Sequence, residues 1–190
     1  MLAIRTDRLV LRPFRPDDAT GLAARRSDPE IARHVLWDTP FTLEAAEALI
    51  ARHPWTGFIK PGEGAQIAIE IAGGGDTVIG DCAVMMADDD GDGEPRQASI
   101  GYTLARAYHG YGYATEAARA IVDALFRGGV FARAPLHRIT AICDVENVAS
   151  QRVLERLGMR REAHLVENLS FKGAWGSEYC YAILRREWPD

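Results

Sequence analysis

Two glycines lie where a strand-like segment gives way to a helix-like one. Gly110 and Gly112 fall in the run YHGYGYATEA, residues 108–117, which continues into good helix formers. The first N–H groups of a helix have no partner within the helix, and they lie at the positive end of the helix dipole. Because glycine has no Cβ, an anion can approach that backbone closely. The run GYGYA is therefore predicted to hold a phosphate or pyrophosphate.

Two other glycine-rich motifs do not fit this run. A dinucleotide-binding fingerprint requires a third glycine at the position of Thr115. A P-loop must end in Gly-Lys-Ser/Thr, and the chain contains no such tripeptide. At this stage the alternative is a loop whose glycines serve only tight packing, because short motifs often occur by chance.

The elements that must position this run follow from the hydrophobic pattern. Ala98–Leu104 alternates like a strand, and Ala114–Arg127 carries one apolar stripe like a helix. A strand at His137–Cys143 and a helix at Asn147–Leu157 follow. The other predicted strands are Arg8–Phe14, Gln66–Ile71, Thr77–Met85, Arg161–Asn168 and Tyr179–Arg185, and the other predicted helices are Asp17–Ser27 and Leu43–Arg52. Helices inserted between strands predict an α/β or α+β fold, with residues 1–190 as a single domain.

Composition and charge exclude several classes of protein. Apolar residues make up 47% of the 190 residues, which is enough for a core and too many for a disordered chain. The net charge is −5 and no Lys/Arg run supplies a cationic face, so we expect no nucleic-acid partner. No apolar window is long enough to cross a bilayer, and the N-terminus lacks a signal-peptide pattern. The cysteines Cys82, Cys143 and Cys180 lack metal-site spacing and are predicted to be reduced core residues of a cytoplasmic protein.

A second motif follows about one strand after the glycines. HGYGYATEA and then ENVASQRVLERLGMRRE, residues 146–162, together resemble the GNAT superfamily of acyl-CoA-dependent N-acyltransferases. More narrowly, they resemble the branch that contains the ribosomal-protein N-terminal acetyltransferases. TDRLVLRPFRPDD and YAILRREW resemble the same branch, so only Pro29–Pro61 matches loosely. The resemblance implies a GNAT fold, with a mixed and partly splayed sheet of seven strands flanked by about four helices.

The resemblance also implies which residues hold acetyl-CoA. Backbone groups of the strand end would contact the pantetheine arm, and the N–H groups of the glycine run would hold the pyrophosphate. Asn147 would contact the pantetheine or help to place the thioester, although it is equally well placed as a helix N-cap. Ser150 would lie near the sulfur and Arg152 near the phosphates. The implied catalytic residues are Ser150 and Asn147, and the implied cofactor-binding residues are Thr103, Leu104, Ala105, Arg106, His109, Gly110, Tyr111, Gly112, Tyr113, Ala114, Asn147 and Arg152.

The sequence departs from the family pattern at three positions. Ala107 replaces the usual Gln or Arg of the glycine loop. Leu154 stands where many members have a tyrosine that acts as general acid, so Ser150 becomes the substitute proton donor. Ser99 stands where the branch often has an acid, so no general base is assigned from that position.

The acceptor amine must be neutral when it attacks the thioester. At neutral pH, deprotonation costs about 1.4 kcal/mol for an α-amine and about 4.6 kcal/mol for a lysine. The weak base signal therefore favours an amine of low pKa. The candidate bases are Glu70, Asp81, Asp144 and Glu167, and the expected oxyanion donor is a backbone N–H near Leu104.

The acidic run DDDGDGE, residues 88–94, resembles the start of a calcium loop. The acid required at the twelfth position of such a loop is replaced by Ser99. We therefore expect a solvated loop between two strands and no metal cofactor.

These observations predict acetyl transfer from acetyl-CoA to a primary amine by direct attack. The leading acceptor is a protein or peptide N-terminal α-amine. One alternative is a small-molecule amine, such as a polyamine, an amino-acid derivative or an aminoglycoside. Another is a non-catalytic acyl-CoA sensor, which Leu154 keeps open. We expect no membrane partner and a monomer or homodimer.

Overall fold

The computed structural model describes residues 2–75, 77–89, 91 and 93–189. These residues form one sheet of eight strands and five α-helices. The strands are β1 (Ile4–Arg5), β2 (Leu9–Pro13), β3 (Gly64–Ile71), β4 (Val78–Met86), β5 (Gln97–Leu104), β6 (Arg138–Asp144), β7 (Arg160–Phe171) and β8 (Ala174–Leu184). The helices are α1 (Ala19–Arg26), α2 (Pro29–Ala32), α3 (Leu43–Arg52), α4 (Tyr113–Arg127) and α5 (Val148–Arg156). The strand order across the sheet is β1-β2-β3-β4-β5-β6-β8-β7.

The predicted fold class is confirmed, and two short elements add to the predicted count. The sheet of the described residues has eight strands rather than seven, because β1 adds two residues that pair with β2. The helix α2 has only four residues, and the Asp28 side chain caps its first turn by accepting from the N–H of Glu30. Elements this short span too few residues to show a hydrophobic period.

The hairpin of β7 and β8 extends beyond the two predicted strands. Its register shifts between Arg161 and Ala163 and again between Leu165 and Leu169. Each shift changes which side chains face the core, so the alternation that marks a strand in the sequence is interrupted.

The helix α4 and the sheet enclose the main core. Ala118, Ile121, Val122 and Leu125 lie on one stripe of α4 and are at most 1% exposed. Their burial against the sheet fixes the orientation of α4 and therefore of its first turn. No helix among the described residues is both long and apolar enough to cross a membrane.

The sheet opens between β5 and β6. These two strands are parallel, but their pairing covers only Gln97–Ser99 against Arg138–Thr140. β5 stays paired with β4 as far as Leu104, and β6 stays paired with β8 as far as Asp144. The two strands therefore diverge towards their C-terminal ends, as the term partly splayed implies.

Candidate functional site

A cavity of about 900 Å³ lies at this opening. The ends of β5 and the starts of α4 and α5 line it, together with α2 and the residues that follow α2. It brings together almost all the residues that the sequence singled out, namely Thr103, Leu104, Arg106, His109, Gly110, Tyr111, Gly112, Tyr113, Ala114, Asn147, Ser150 and Arg152. Ala105 is not part of this lining, because its N–H donates to the carbonyl of Ile79 at 2.8 Å and its carbonyl accepts from Tyr108.

The glycine run forms the N-terminal end of α4. Gly110 has φ of 83° and Gly112, the N-cap, has φ of 82°, which is the left-handed region that side chains with a Cβ rarely adopt. The first backbone bond within the helix runs from the N–H of Glu116 to the carbonyl of Gly112. The N–H groups of the preceding turn therefore have no partner within the helix, and their residues line the cavity, as an anion site requires.

A carboxylate from inside α4 anchors this loop to the N-terminal strands. Glu116 accepts hydrogen bonds from the Thr6 hydroxyl at 2.6 Å and from the Arg8 backbone at 3.0 Å. The Arg8 guanidinium donates to Glu116 at 2.7 Å and to the carbonyl of Tyr111 at 3.0 Å. Burial acts to raise the pKa of Glu116, but the bonds from Thr6 and Arg8 outweigh it and lower the pKa. The sequence motifs did not predict this network, although they contain its residues: Thr6 and Arg8 belong to TDRL, and Glu116 belongs to ATEA.

Alternate backbone N–H and C=O groups at the end of β5 face the opening. Residues of a strand alternate in the direction of their N–H and C=O groups. Since the N–H of Ala105 points to β4, the backbone groups of Tyr102 and Leu104 point away from β4, towards the opening. His109 Nε2 lies 2.9 Å from the carbonyl oxygen of Leu104, so the Leu104 N–H is the group left for a ligand.

The start of α5 provides a cap and a hydroxyl group. The Asn147 side chain accepts from the N–H of Ser150 at 3.0 Å, so the expected N-cap is present. Ser150 Oγ lies 3.0 Å from the Tyr102 hydroxyl, which also donates to the Ser150 carbonyl at 3.2 Å. Burial raises the pKa of Tyr102 and the bond to Ser150 only partly opposes it, so this hydroxyl stays protonated at neutral pH.

Tyr102 was missed as a site residue because it lies on a strand whose alternation suggested packing alone. Leu154, at the position of the usual tyrosine, is fully buried in the core. The tyrosine hydroxyl that lies beside Ser150 therefore comes from β5, whereas α5 itself has leucine at the position of the usual tyrosine.

Among the described residues, three arginines line the cavity, namely Arg106, Arg152 and Arg156. Arg106 is exposed and lies 3.9 Å from the Asp28 carboxylate. Arg152 and Arg156 are exposed as well, and neither forms an ion pair with any residue that the structure describes. Arg152 is therefore less engaged than Arg106 as a cation for a ligand phosphate.

The cysteine thiols remain neutral near the site. Burial raises the pKa of Cys143 to about 11. Burial likewise raises the pKa values of Cys82 and Cys180. A thiolate nucleophile is thus disfavoured at neutral pH, in keeping with direct attack by the amine.

Two of the four candidate bases are occupied elsewhere. Asp81 is buried and accepts from Arg25 at 2.7 Å and Arg26 at 2.9 Å. Burial acts to raise the pKa of Asp81, but the two arginines lower it, which makes it a poor base. Glu70 pairs with Arg12 at 2.6 Å and does not line the cavity.

The other two candidates differ in their relation to the cavity. Glu167 is exposed, has φ of 47° and does not line the cavity. The Asp144 Oδ1 atom lies 3.8 Å from Nδ1 of His34, and His34 lines the cavity. His34 was not considered in the sequence analysis, since it lies in the loosely matching segment.

The expected absence of a metal cofactor stays a prediction. The described residues contain no group of three or more metal-ligating side chains. Asp90 and Asp92 of the acidic run lie outside the described residues.

Comparisons with known proteins agree with this geometry. A sequence model described as the acetyltransferase (GNAT) domain matches residues 8–160. The uncharacterized N-acetyltransferase YnaD of Bacillus subtilis is 32% identical over 97% of this chain and 98% of that protein. A GNAT-family acetyltransferase structure from Bacillus anthracis superposes with a TM-score of 0.79 at 27% identity, over 97% of this chain and 99% of that one.

Two further solved structures share the fold at lower identity. Mycobacterium smegmatis RimJ in complex with CoA-disulfide has a TM-score of 0.77 at 24% identity, over 99% of this chain and 88% of that one. Spermidine N-acetyltransferase from Vibrio cholerae, in complex with CoA and spermine, has a TM-score of 0.75 at 19% identity. The superposition covers 96% of this chain and 98% of the spermidine acetyltransferase chain.

Proposed function

This chain belongs to the GNAT acetyltransferase family and is an acetyl-CoA-dependent N-acetyltransferase, and we propose that its acceptor is the α-amine of a protein or peptide N-terminus. The observation that carries the proposal is the opening between β5 and β6. A helix start whose first N–H groups have no partner within the helix and a pair of hydroxyl groups both lie at the cavity beside this opening, which supports the proposal.

In this proposal the cofactor enters along the exposed edge of β5. The N–H groups at Gly110–Ala114 hold its pyrophosphate, and Arg152 contacts a phosphate. The backbone at Tyr102 and Leu104 faces the pantetheine arm, and the Leu104 N–H donates to the oxyanion that forms during transfer. The left-handed Gly112 at the head of α4 supports this assignment, since a Cβ there would both strain the backbone and crowd the anion.

The transfer itself is a direct displacement. The neutral amine attacks the thioester carbonyl carbon, a C–N bond forms, and the C–S bond breaks. The departing thiolate takes a proton from Ser150 Oγ, which Tyr102 can resupply across their 3.0 Å contact. Asn147 holds the first turn of α5 and so fixes the position of Ser150.

The carboxylates of this protein favour an acceptor of low pKa. Where burial and charge clearly shift the pKa of a carboxyl group near the sheet, as for Asp81 and Glu116, the pKa falls. Such groups are weak bases, and a lysine would require a strong one because its deprotonation costs about 4.6 kcal/mol at neutral pH. An N-terminal α-amine requires only about 1.4 kcal/mol.

A polyamine is the second candidate acceptor. Glu30 and Glu146 both line the cavity and are exposed, so their charges can attract a polycation. The fold likeness to the spermidine acetyltransferase points in the same direction.

Thiol release from acetyl-CoA separates the two acceptors. Peptides with varied N-termini should release thiol, and the same peptides with a blocked N-terminus but an internal lysine should not. Turnover with spermidine or other small amines and none with free N-termini would refute the peptide assignment. Tight acetyl-CoA binding without any thiol release across both panels would favour the sensor alternative instead.

A further inference from the structure

His34 lies at the cavity and close to a carboxylate. It follows α2 and lines the same cavity as Ser150 and Asn147. Its Nδ1 atom is 3.8 Å from Asp144 Oδ1, and its side chain is 19% exposed. An imidazole with one nitrogen turned to a carboxylate leaves its second nitrogen for another partner.

Asp144 is itself fixed in place. It is the last residue of β6, and in the register of the sheet it lies opposite Glu178 of β8. Its Oδ1 atom accepts from the N–H of Glu146 at 2.6 Å, which ties the carboxylate to the turn before α5. The same turn carries Asn147, the cap of the helix that presents Ser150. The short segment from Asp144 to Asn147 therefore contacts His34 at its first residue and Ser150 at its last.

The segment that bears His34 is tied down on both sides. Arg33 lies 3.5 Å from the Glu146 carboxylate. The Lys172 side chain, at the tip of the β7–β8 hairpin, donates to the carbonyl of Ala32. These contacts hold the imidazole against the end of β6.

We infer that His34, oriented by Asp144, is the general base that accepts the proton of the acceptor amine. This inference rests on the proposed acetyl transfer and deepens it. His34 takes the proton of the ammonium form of the acceptor before attack, and Asp144 stabilises the resulting imidazolium by its charge. As the C–N bond then forms and the C–S bond breaks, the Ser150 hydroxyl gives a proton to the departing thiolate and the hydroxyl pair regains one from the acylated nitrogen. One amine proton therefore ends on His34 and a second on the thiol.

The proposed acceptor makes a modest demand on a base. A protein α-amine has a pKa of about 8, whereas a lysine has a pKa of about 10.4, so the α-amine loses its proton more easily at neutral pH. Histidine is the side chain that most often serves as a general base. A histidine held beside a carboxylate thus suits the proposed α-amine better than a lysine side chain.

Other charged groups share the cavity with His34 or lie on the elements beside it and Asp144. They are Glu30 and Arg33 on its own segment, Arg106 after β5, Glu146 before α5, Arg152 and Arg156 on α5, Lys172 on the hairpin and Glu178 on β8. Arg33 lies near Glu146 and Arg106 lies near Asp28, and among the described residues Asp144 is the charged group that lies 3.8 Å from the ring.

The test compares pH–rate profiles of the full-length protein with a peptide acceptor. His34→Gln should lower kcat/KM at neutral pH on the order of 100-fold. The deficit should shrink as the pH rises past the acceptor pKa, because the amine is then already neutral. Asp144→Asn should lower the rate less, with the same pH dependence. His137→Gln, a change at an exposed histidine outside the cavity lining, should have no effect.

Two further measurements separate a base from a structural role. Acetyl-CoA affinity by calorimetry should be the same for wild type and His34→Gln. Hydroxylamine, which is unprotonated at neutral pH, should be acetylated equally by both, whereas Ser150→Ala should slow its acetylation. A loss that is independent of pH, a change in KM alone, or an equal loss with hydroxylamine would overturn the assignment.

Failure of the inference and failure of the proposed function give different results. If wild type acetylates peptides and His34→Gln behaves like wild type, only the base assignment is wrong. If wild type acetylates small amines but no peptide, the peptide assignment fails, and the His34 profile is measured on the active amine. If wild type binds acetyl-CoA but acetylates neither amines nor hydroxylamine, both proposals are wrong.

Discussion

The contact between Tyr102 and Ser150 predicts that the two hydroxyl groups act as one unit in catalysis. Ser150→Ala removes the group that protonates the thiolate, and loss of a positioned acid typically costs about 100-fold or more in rate. Tyr102→Phe keeps the ring and removes the contacts of its hydroxyl with the Ser150 carbonyl at 3.2 Å and with Ser150 Oγ at 3.0 Å; only the second is a neutral hydrogen bond to the catalytic hydroxyl. Such a bond is worth about 0.5–1.5 kcal/mol, which corresponds to a loss in kcat of about two- to thirteenfold.

The assay is kcat from thiol release for wild type, the two single variants and the double variant. If Tyr102 acts only through Ser150, the double variant should be about as slow as Ser150→Ala alone, since groups that act as a unit are strongly non-additive. Tyr181→Phe is a matched control, because Tyr181 is a buried tyrosine of the same sheet that does not line the cavity. Two independent, multiplicative losses would refute the shared role of the pair.

Three other changes test the anchoring of the site. Gly112→Ala places a Cβ at φ of 82°, which costs roughly 1–2 kcal/mol of strain, and it should weaken CoA binding in calorimetry. Gly173→Ala is the control: it has φ of 83° in a hairpin turn outside the cavity lining and should leave the CoA affinity intact. Glu116→Gln should reduce stability to urea at neutral pH. Because folding lowers the Glu116 pKa, this stabilisation is fully present above the ordinary glutamate pKa of about 4.3 and is lost as the pH falls through the lowered pKa, so wild type and variant should converge at acid pH. Equal stability at neutral pH would contradict that network. Asp81→Asn leaves two buried arginines without their carboxylate and should destabilise the fold by about 3–5 kcal/mol in urea unfolding, and a loss below about 1 kcal/mol would show that the pair is not held as described.

The sequence was informative wherever the site depends on neighbouring residues in the chain. The run around Gly110 and Gly112 predicts a helix start with free N–H groups, because glycine, left-handed backbone and helix formers follow one another directly. Asn147 and Ser150 are three positions apart, so a cap and its N3 partner can be read from spacing alone. The longer strands and helices were found for the same reason, since their periods repeat within a short window.

Short or irregular elements were not predictable in this way. The two-residue β1 and the four-residue α2 carry too few side chains for a period. The register shifts in β7 interrupt the alternation that would have shown its full length. None of these is visible until the neighbouring strand or helix is in place.

Sequence alone determined the local parts of the candidate site, which are the helix starts with their glycines and cap, and tertiary structure decided which distant side chains meet beside them. A helix start and its glycines are local, so their chemistry is written in adjacent residues. The pairing of Tyr102 with Ser150 joins residues 48 positions apart, and that of Thr6 with Glu116 joins residues 110 positions apart. The approach of His34 to Asp144 likewise depends on where the residues after α2 lie relative to the end of β6. Such contacts arise because sheet register and helix packing bring distant side chains to one cavity, and no local period encodes that convergence.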